Sequence, residues 1–260
     1  MNVWIVVPCY REAQLGWAVE NFARQTYPHK KLCIVENGDA IGGCVRHGIK
    51  PDLVVSSRIA QVGIVRNVGV HAIRELHDDS WIAMCDDDDW YGPAYLEELI
   101  GLAKQKKADI YGKLRNFVAF PSCGLHLFNE LNSNSFVPCV HGPSLFFRPE
   151  GAVEFRAQNE AEEYQWCMDM AKRGAKIWAA SVHHLLYLRY ASAHDHAWQS
   201  NDMTIAMASA ANDRVYWFGP VDLGVVTGKV DWRSRVRRSQ VRLVSPSPVT
   251  PAGTPPHSRC

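Results

Sequence analysis

WIAMCDDDDWYGP, residues 81–93, is the stretch on which the reading of this chain turns. An apolar run with the length of a buried strand ends in Asp86, Asp87, Asp88 and Asp89. Trp90 and Tyr91 follow, then Gly92 and Pro93, a pair that predicts a helix start, where the missing proline N–H costs nothing. Four adjacent carboxylates repel one another, so either water solvates them or a cation neutralises them. Hard divalent ions prefer oxygen ligands, and Mg2+ or Mn2+ usually keeps waters and phosphate oxygens in its shell. Asp86 and Asp88, alternate residues of an extended backbone, lean the same way. A solvated loop and a metal and phosphate platform both fit the run itself. Its place at the end of a buried strand favours the platform.

Outward from this stretch, strand and helix patterns alternate. VWIVV (3–7) predicts a strand ended by Pro8, and Leu15, Ala18, Val19 and Phe22 then recur at helical spacing. LCIV (32–35) predicts a second strand, closed by the turn-forming ENGD. A third strand near 53–55 precedes a helix with Val65, Val68, Ala72 and Leu76 on one face. After the acidic run, Tyr95, Leu96, Leu99, Ile100 and Ala103 form a buried helical stripe, and 110–113 reads as another strand. This βαβα rhythm predicts an α/β fold with a mostly parallel sheet and helices on both faces. The second half is less regular. It predicts strands at 144–147 and 177–180, a helix marked by Tyr164, Cys167, Met168 and Ala171 and ended by Gly174, and a small-residue helix over 201–211.

Composition sets the outer limits. At 260 residues and 47% hydrophobic, the chain can bury a sizeable core. A net charge of +1 gives no global field to recruit nucleic acid or anionic membrane. No window approaches the about 18 consecutive apolar residues of a membrane span. The opening MNVWIVVPCYRE lacks the basic leader of a signal peptide, and Cys9, Cys33 and Cys85 sit in strand-like runs without regular disulfide spacing. Both features predict a reducing, cytoplasmic setting.

In open α/β sheets, ligands bind outside the carboxyl ends of the strands. Those ends carry Pro8-Cys9-Tyr10-Arg11-Glu12, Glu36-Asn37-Gly38-Asp39 and the four aspartates, so all three are expected along one edge. Four segments together resemble family-2 glycosyltransferases of the GT-A fold. VVPCYRE (6–12) is similar to that family's first-strand signature, and CIVENGD (33–39) to its second-strand end. QVGIVRNVGVHAI (61–73) is similar to its Ala-Arg-Asn-x-Gly helix, and 81–99 to its Asp-x-Asp-Asp motif with the helix that follows. Glu-Asn stands at 36–37 where the family usually has Asp-Asp.

The resemblance implies a nucleotide-sugar donor, a UDP-sugar first of all, bound through Pro8, Tyr10, Glu12, Glu36, Asn37, Arg66, Asp86 and Asp87. It implies Mn2+ or Mg2+ on Asp88 and Asp86, with Asp89 supporting them and His194 or His196 completing the set. NEAEEYQWCMDMAKRGAKIW (159–178) resembles the segment carrying the catalytic base, with Glu163 in the usual position and Glu162 as the fallback. An acidic first turn favoured by the helix dipole explains the same pair without catalysis. His141, Trp90 and Tyr91 are candidates for stacking on the acceptor, which the resemblance leaves open among glycan, protein, lipid and modified nucleobase. The implied organisation is a nucleotide-sugar half over 1–115, an acceptor and catalytic half with a small mixed region over 116–212, and an extension over 213–260.

Three rival readings remain. A non-catalytic nucleotide-sugar-binding or scaffold protein would keep the fold, and the Glu162-Glu163 departure and the tail would then dock a partner. A sugar nucleotidyltransferase would be expected to carry a glycine-rich loop after the first strand, where this chain has Pro-Cys-Tyr-Arg-Glu. His183, His184, His194 and His196 could form a zinc cluster, but no cysteine or carboxylate stands at ligand spacing. The tail carries Arg233, Arg235, Arg237, Arg238 and Arg242, then a proline- and serine-rich stretch. It is expected to be disordered, with the basic cluster open to a partner or an anionic surface.

Overall fold

A computed structural model describes residues 1–77, 79–120, 124–128, 132–189, 215–219 and 221–231. The first four strands are β1 (Asn2–Cys9), β2 (Lys30–Glu36), β3 (Leu53–Ser56) and β4 (Ser80–Met84). They lie side by side in the order β3-β2-β1-β4, all parallel. The interiors of β1 and β2 and every residue of β4 are buried, which is why they read as unbroken apolar runs rather than alternating ones.

Helices cover both faces, as expected. On one face, Val3, Ile5 and Val7 pack with Leu15 and Ala18 of α1 (Leu15–Arg24) and with Leu96, Leu99 and Ile100 of α4 (Tyr95–Gln105). On the other, Trp4, Val6, Cys33 and Val35 meet α3 (Val62–Glu75) and α5 (Glu162–Lys172). A short α2 (Gly43–Arg46) follows β2. The stripes on α3 and α5 are rotated from those expected. Val65, Gly69, Val70 and Ile73 face the sheet, while Leu76 is exposed. On α5, Trp166, Cys167 and Met170 are buried and Tyr164 is exposed.

RNVG at 66–69 shows why α3 sits where it does. A Cβ on Gly69 would come within 2.6 Å of Val6 and 2.9 Å of Val35, so glycine permits the close approach of helix to sheet. Asn67 exchanges two hydrogen bonds with the backbone of Phe155, fastening the segment before α5 onto α3. Arg66 is thereby aimed at the carboxyl end of β4.

Beyond β4 the sheet becomes mixed, in keeping with a mostly parallel sheet that carries a small mixed region. β10 (Phe146–Phe147) inserts antiparallel between β4 and β6 (Ile110–Gly112). Next come β11 (Ile177–Ala179), parallel to β6, and β9 (Ser135–Phe136), antiparallel to β11. The strand expected over 144–147 is confined to its last two residues, because Gly142–Ser144 form a 3-10 turn.

A second, five-stranded sheet has the order β13-β8-β7-β12-β5. Its members are β5 (Trp90–Tyr91), β7 (Phe117–Phe120), β8 (Gly124–Phe128), β12 (Leu185–Leu188) and β13 (Val215–Gly219). Residues assigned from sequence to the C-terminal extension therefore contribute a strand, and α6 (Leu223–Val226) packs Val225 and Val226 against this sheet. The helix expected over 201–211, the basic cluster and the proline-rich end lie outside the described residues.

All six described cysteines are free thiols, and Cys9, Cys33 and Cys85 are buried. Among the described residues no helix is long and apolar enough to cross a membrane.

Candidate functional site

The ends of β1 and β4 meet as the open-sheet rule requires. Tyr10 N–H donates to Asp87 Oδ2 at 3.3 Å, and Arg11 Nη2 reaches Asp88 Oδ2 at 3.3 Å. The four aspartates divide by surroundings. Asp87 and Asp89 are buried, whereas Asp86 and Asp88 are half-buried. The Asp89 backbone carbonyl accepts from Trp17 Nε1 (2.7 Å) and Asn21 Nδ2 (2.8 Å), and its Oδ1 accepts Leu188 N–H at 3.2 Å. Asp89 thus ties the acidic run to α1 and to β12.

One carboxylate oxygen from each of Asp86, Asp88 and Asp89 lies within 4.8 Å of the others. These are all hard oxygen donors, the set that suits Mg2+ or Mn2+. Burial pushes Asp86 up to about 6, Arg66 pulls it back, and Asp88 and Glu163 raise it again. Burial and then Asp88 push Asp87 to about 8, and burial followed by Asp88 and Asp86 carries Asp89 well above the ordinary carboxylate range. The donor set fits a hard divalent cation. His194 and His196, expected to complete the set, lie outside the described residues.

Beside this cluster opens a cleft of about 610 Å³. Asp86, Asp88 and Asp89 line it from the run that follows β4, and Glu162 and Glu163 from the start of α5. Ala161, immediately before them, holds φ 54°, a left-handed conformation that costs a residue with a Cβ about 1 kcal/mol. The first turn of α5 suits carboxylates through the helix dipole, yet its two glutamates differ. Glu162 is 5% exposed, and its Oε1 sits 3.2 Å from Arg66 Nε. Burial pushes Glu162 up to about 7 against the pull of Arg66. Glu163 is half-buried and faces the cleft.

Arg66 links these groups. It is 3% exposed, donates to Asp86 Oδ1 (3.1 Å) and to the Gly142 carbonyl (3.1 Å), and pairs with Glu162. A Cβ on Gly142 would lie 2.9 Å from the guanidinium, so glycine keeps this passage open. Arg66 was expected to approach base or phosphates. It instead bridges the acidic run and α5.

Other expected residues are occupied by the fold. Glu36 accepts Gly42 N–H (2.7 Å) and Cys44 N–H (2.8 Å), and Asn37 donates to the carbonyls of Ser57 and Ile59. Both are 3% exposed, so their side chains organise the loop after β2. Glu12 pairs with Arg46 and His47; the Arg46 hydrogen bonds hold it down to about 2. Pro8 is half-buried within β1. Tyr10 is 56% exposed at the strand end, the one aromatic of the expected nucleotide set with a free face.

Trp90 and Tyr91 are not acceptor platforms. Trp90 is 8% exposed in the core of the second sheet, and Arg24 stacks over its ring. Tyr91 is 1% exposed; its hydroxyl accepts Asp86 N–H and donates to the Pro143 carbonyl, both at 2.8 Å. It braces the acidic run from behind.

His141 does line the cleft, with its ring 5.6 Å from that of Tyr187. Asn116 Nδ2 is committed to the Phe117 carbonyl, so Asn116 Oδ1 accepts from His141 Nδ1 at 3.1 Å. Burial, with Arg115 adding to it, lowers His141 to about 4. The ring is neutral near pH 7, and its Nε2 carries a lone pair.

Arg115, Asn116, Tyr187 and Arg189 were missed from sequence, and Arg11, placed at the first strand end, was given no role. The 115–116 pair follows a strand end, so the rule applied to β1, β2 and β4 would have found it had β6 been treated alike.

Residues 4–119 match the sequence model of Glycosyl transferase family 2, and that part of the chain is homologous to the family. No curated protein matches the chain. Among solved structures, TarS of S. aureus (residues 1–349) in complex with UDP-GlcNAc aligns with a TM-score of 0.57 at 14% identity, covering 86% of this chain and 69% of that one. The same protein with UDP gives 0.55 at 15% identity, covering 73% and 61%. The mannosyltransferase PcManGT from Pyrobaculum calidifontis, in complex with GDP-Man and Mn2+, gives 0.52 at 14%, covering 72% and 56%. At such identities the likeness is one of fold, and that fold is GT-A-like. The chain spans between 56% and 69% of the length of these three.

Proposed function

We propose that the protein is a divalent-cation-dependent glycosyltransferase. It moves a sugar from a nucleoside diphosphate sugar, a UDP-sugar first of all, to an acceptor hydroxyl with inversion. The observation that carries this is the meeting, in one cleft, of the aspartate oxygens at the end of β4 with Glu163 at the start of α5. Family-2 homology over 4–119 and the GT-A-like fold support it.

A cation held by Asp86, Asp88 and Asp89 would neutralise charge on the leaving diphosphate. The chain's own groups do the rest. Tyr10 offers its ring to the base. Glu163 takes the proton from the acceptor oxygen as that oxygen bonds to the anomeric carbon and the bond to the diphosphate breaks. Arg66, by clamping Asp86 and Glu162, fixes the distance between the two sides of the reaction. Tyr91 and Asp89 keep the acidic run from recoiling.

The test is release of nucleoside diphosphate from a panel of nucleotide sugars, followed by mass spectrometry, with Mn2+, with Mg2+ and under chelator. Metal-dependent turnover of one donor supports the enzyme. Donor binding without turnover under any condition supports the non-catalytic reading, for which the burial of Glu162 against Arg66 is the relevant observation.

A further inference from the structure

On the wall of the cleft contributed by the second sheet, Arg115 and Asn116 come just before β7, and Arg189 just after β12. Arg115 is half-buried; among the described residues its Nη1 donates to the adjacent Leu114 carbonyl at 3.2 Å and its buried Nε meets no acceptor. Among the described residues six carboxylates line the same cleft: Asp86, Asp88, Asp89, Glu160, Glu162 and Glu163. Arg115 forms no ion pair with any of them. A sheltered guanidinium with an unmet donor and an unneutralised charge is costly unless a ligand completes it.

Its position tells which ligand. A Cβ on Gly142 would lie 3.3 Å from the Glu163 Cβ, and His141, the residue before Gly142, is hydrogen-bonded to Asn116, the neighbour of Arg115; the Cys139 thiol, raised by burial and then by Glu163 and lowered by Arg115, agrees with that placement. Asn116 and His141, joined by their hydrogen bond, stand beside Arg115. Arg66 is already committed to Asp86, Glu162 and the Gly142 carbonyl, whereas Arg115 is a cleft cation that the described carboxylates leave unpaired.

We propose that the acceptor is anionic: it presents its hydroxyl to Glu163 and a carboxylate or phosphate to the Arg115 fork. This rests on the transferase reading above. A planar guanidinium matches either oxyanion with two parallel hydrogen bonds, which an ammonium does not.

Probes that differ only in charge test it. Methyl glucoside, methyl glucuronide, glucose and glucose 6-phosphate are titrated calorimetrically into the full chain loaded with Mn2+ and UDP. Each anionic probe is expected to bind at least ~10-fold more tightly than its neutral parent, the worth of one charge-assisted hydrogen bond. The glucuronide and phosphate arms separate the two anion types. Arg115→Gln should erase the difference, Arg115→Lys should keep part of it, and UDP affinity should follow neither change. Matched melting temperatures for both variants exclude misfolding. Equal binding of neutral and charged probes by the wild type overturns the proposal. So does a fall in UDP affinity in Arg115→Gln as large as the fall for the anionic probes, since the arginine would then serve the diphosphate. Should no nucleotide sugar be turned over while Arg115-dependent anion binding persists, the transferase reading falls and the anion site stands.

Discussion

Asp86 and Arg115 line one cleft but are held in opposite ways. Asp86 stands two residues beyond a strand buried along its whole length, its N–H fixed by Tyr91 and its carboxylate by Arg66. Arg115 sits in a loop before a four-residue strand, and among the described residues its side chain has one hydrogen bond, to its neighbour. The first wall is braced before any ligand arrives; the second leaves its charged group uncommitted. That division suits a site whose chemistry is constant on one side and whose specificity is set on the other.

The largest effect should come from the braced wall. Asp88→Asn removes one of three clustered carboxylates and is expected to cost ~10³-fold in metal-dependent turnover, several kcal/mol of charge stabilisation. Chelator should do the same to the wild type. Full activity under chelator would break the contrast at its root. Glu163→Gln should leave donor affinity intact and lower transfer by at least ~10²-fold, the share of a general base. Glu162→Gln should cost less, ~10-fold, because Glu162 acts by holding Arg66. An equal loss in the two glutamine variants would move the base assignment to Glu162.

Smaller effects sharpen the comparison. Tyr91→Phe strips the N–H of Asp86 and the carbonyl of Pro143 of their shared partner and should destabilise the fold by about 1–3 kcal/mol, read by denaturant melts. The pH dependence has a definite sign. Asp86 at about 6, Asp87 at about 8 and Asp89 well above its ordinary value hold protons that the unfolded chain has already released. The metal-free protein should therefore lose stability as pH rises from about 4 to about 8. Added Mn2+ should raise the melting temperature, and more at pH 8 than at pH 5. A metal-free melting temperature that climbs across this window would refute the account of the acidic run.

How much of this was readable in advance also follows the two walls. β1, β2 and β4 could be read because strands buried on both faces are unbroken apolar runs, and the turns after them are polar. The second sheet was not read as a sheet. β5 has two residues, β7 and β12 four each, and their pairing joins segments about seventy to a hundred residues apart, which no local period encodes. β13 was hidden for a further reason: it stands just before a basic cluster that suggested a tail.

Within the site, the acidic run and the RNVG helix were legible from residue type and order. Trp90 and Tyr91 misled because an aromatic pair beside carboxylates looks like a ligand platform; which way a two-residue strand faces depends on its distant partner, β12. Glu36 and Asn37 misled in the opposite sense. Their chemistry suits a nucleotide equally well, but the loop they close had first claim on it.

The insertion of β10 between β4 and β6 has a consequence for synthesis. Residues 80–84 leave the ribosome more than sixty positions ahead of 146–147, the two residues that close their free edge. Until those arrive, the nascent chain holds a strand, apolar but for Ser80, with one side unpaired, the kind of edge that templates wrong association. Truncation anywhere before 147 should accordingly yield insoluble product, however complete the β3-β2-β1-β4 unit looks by itself.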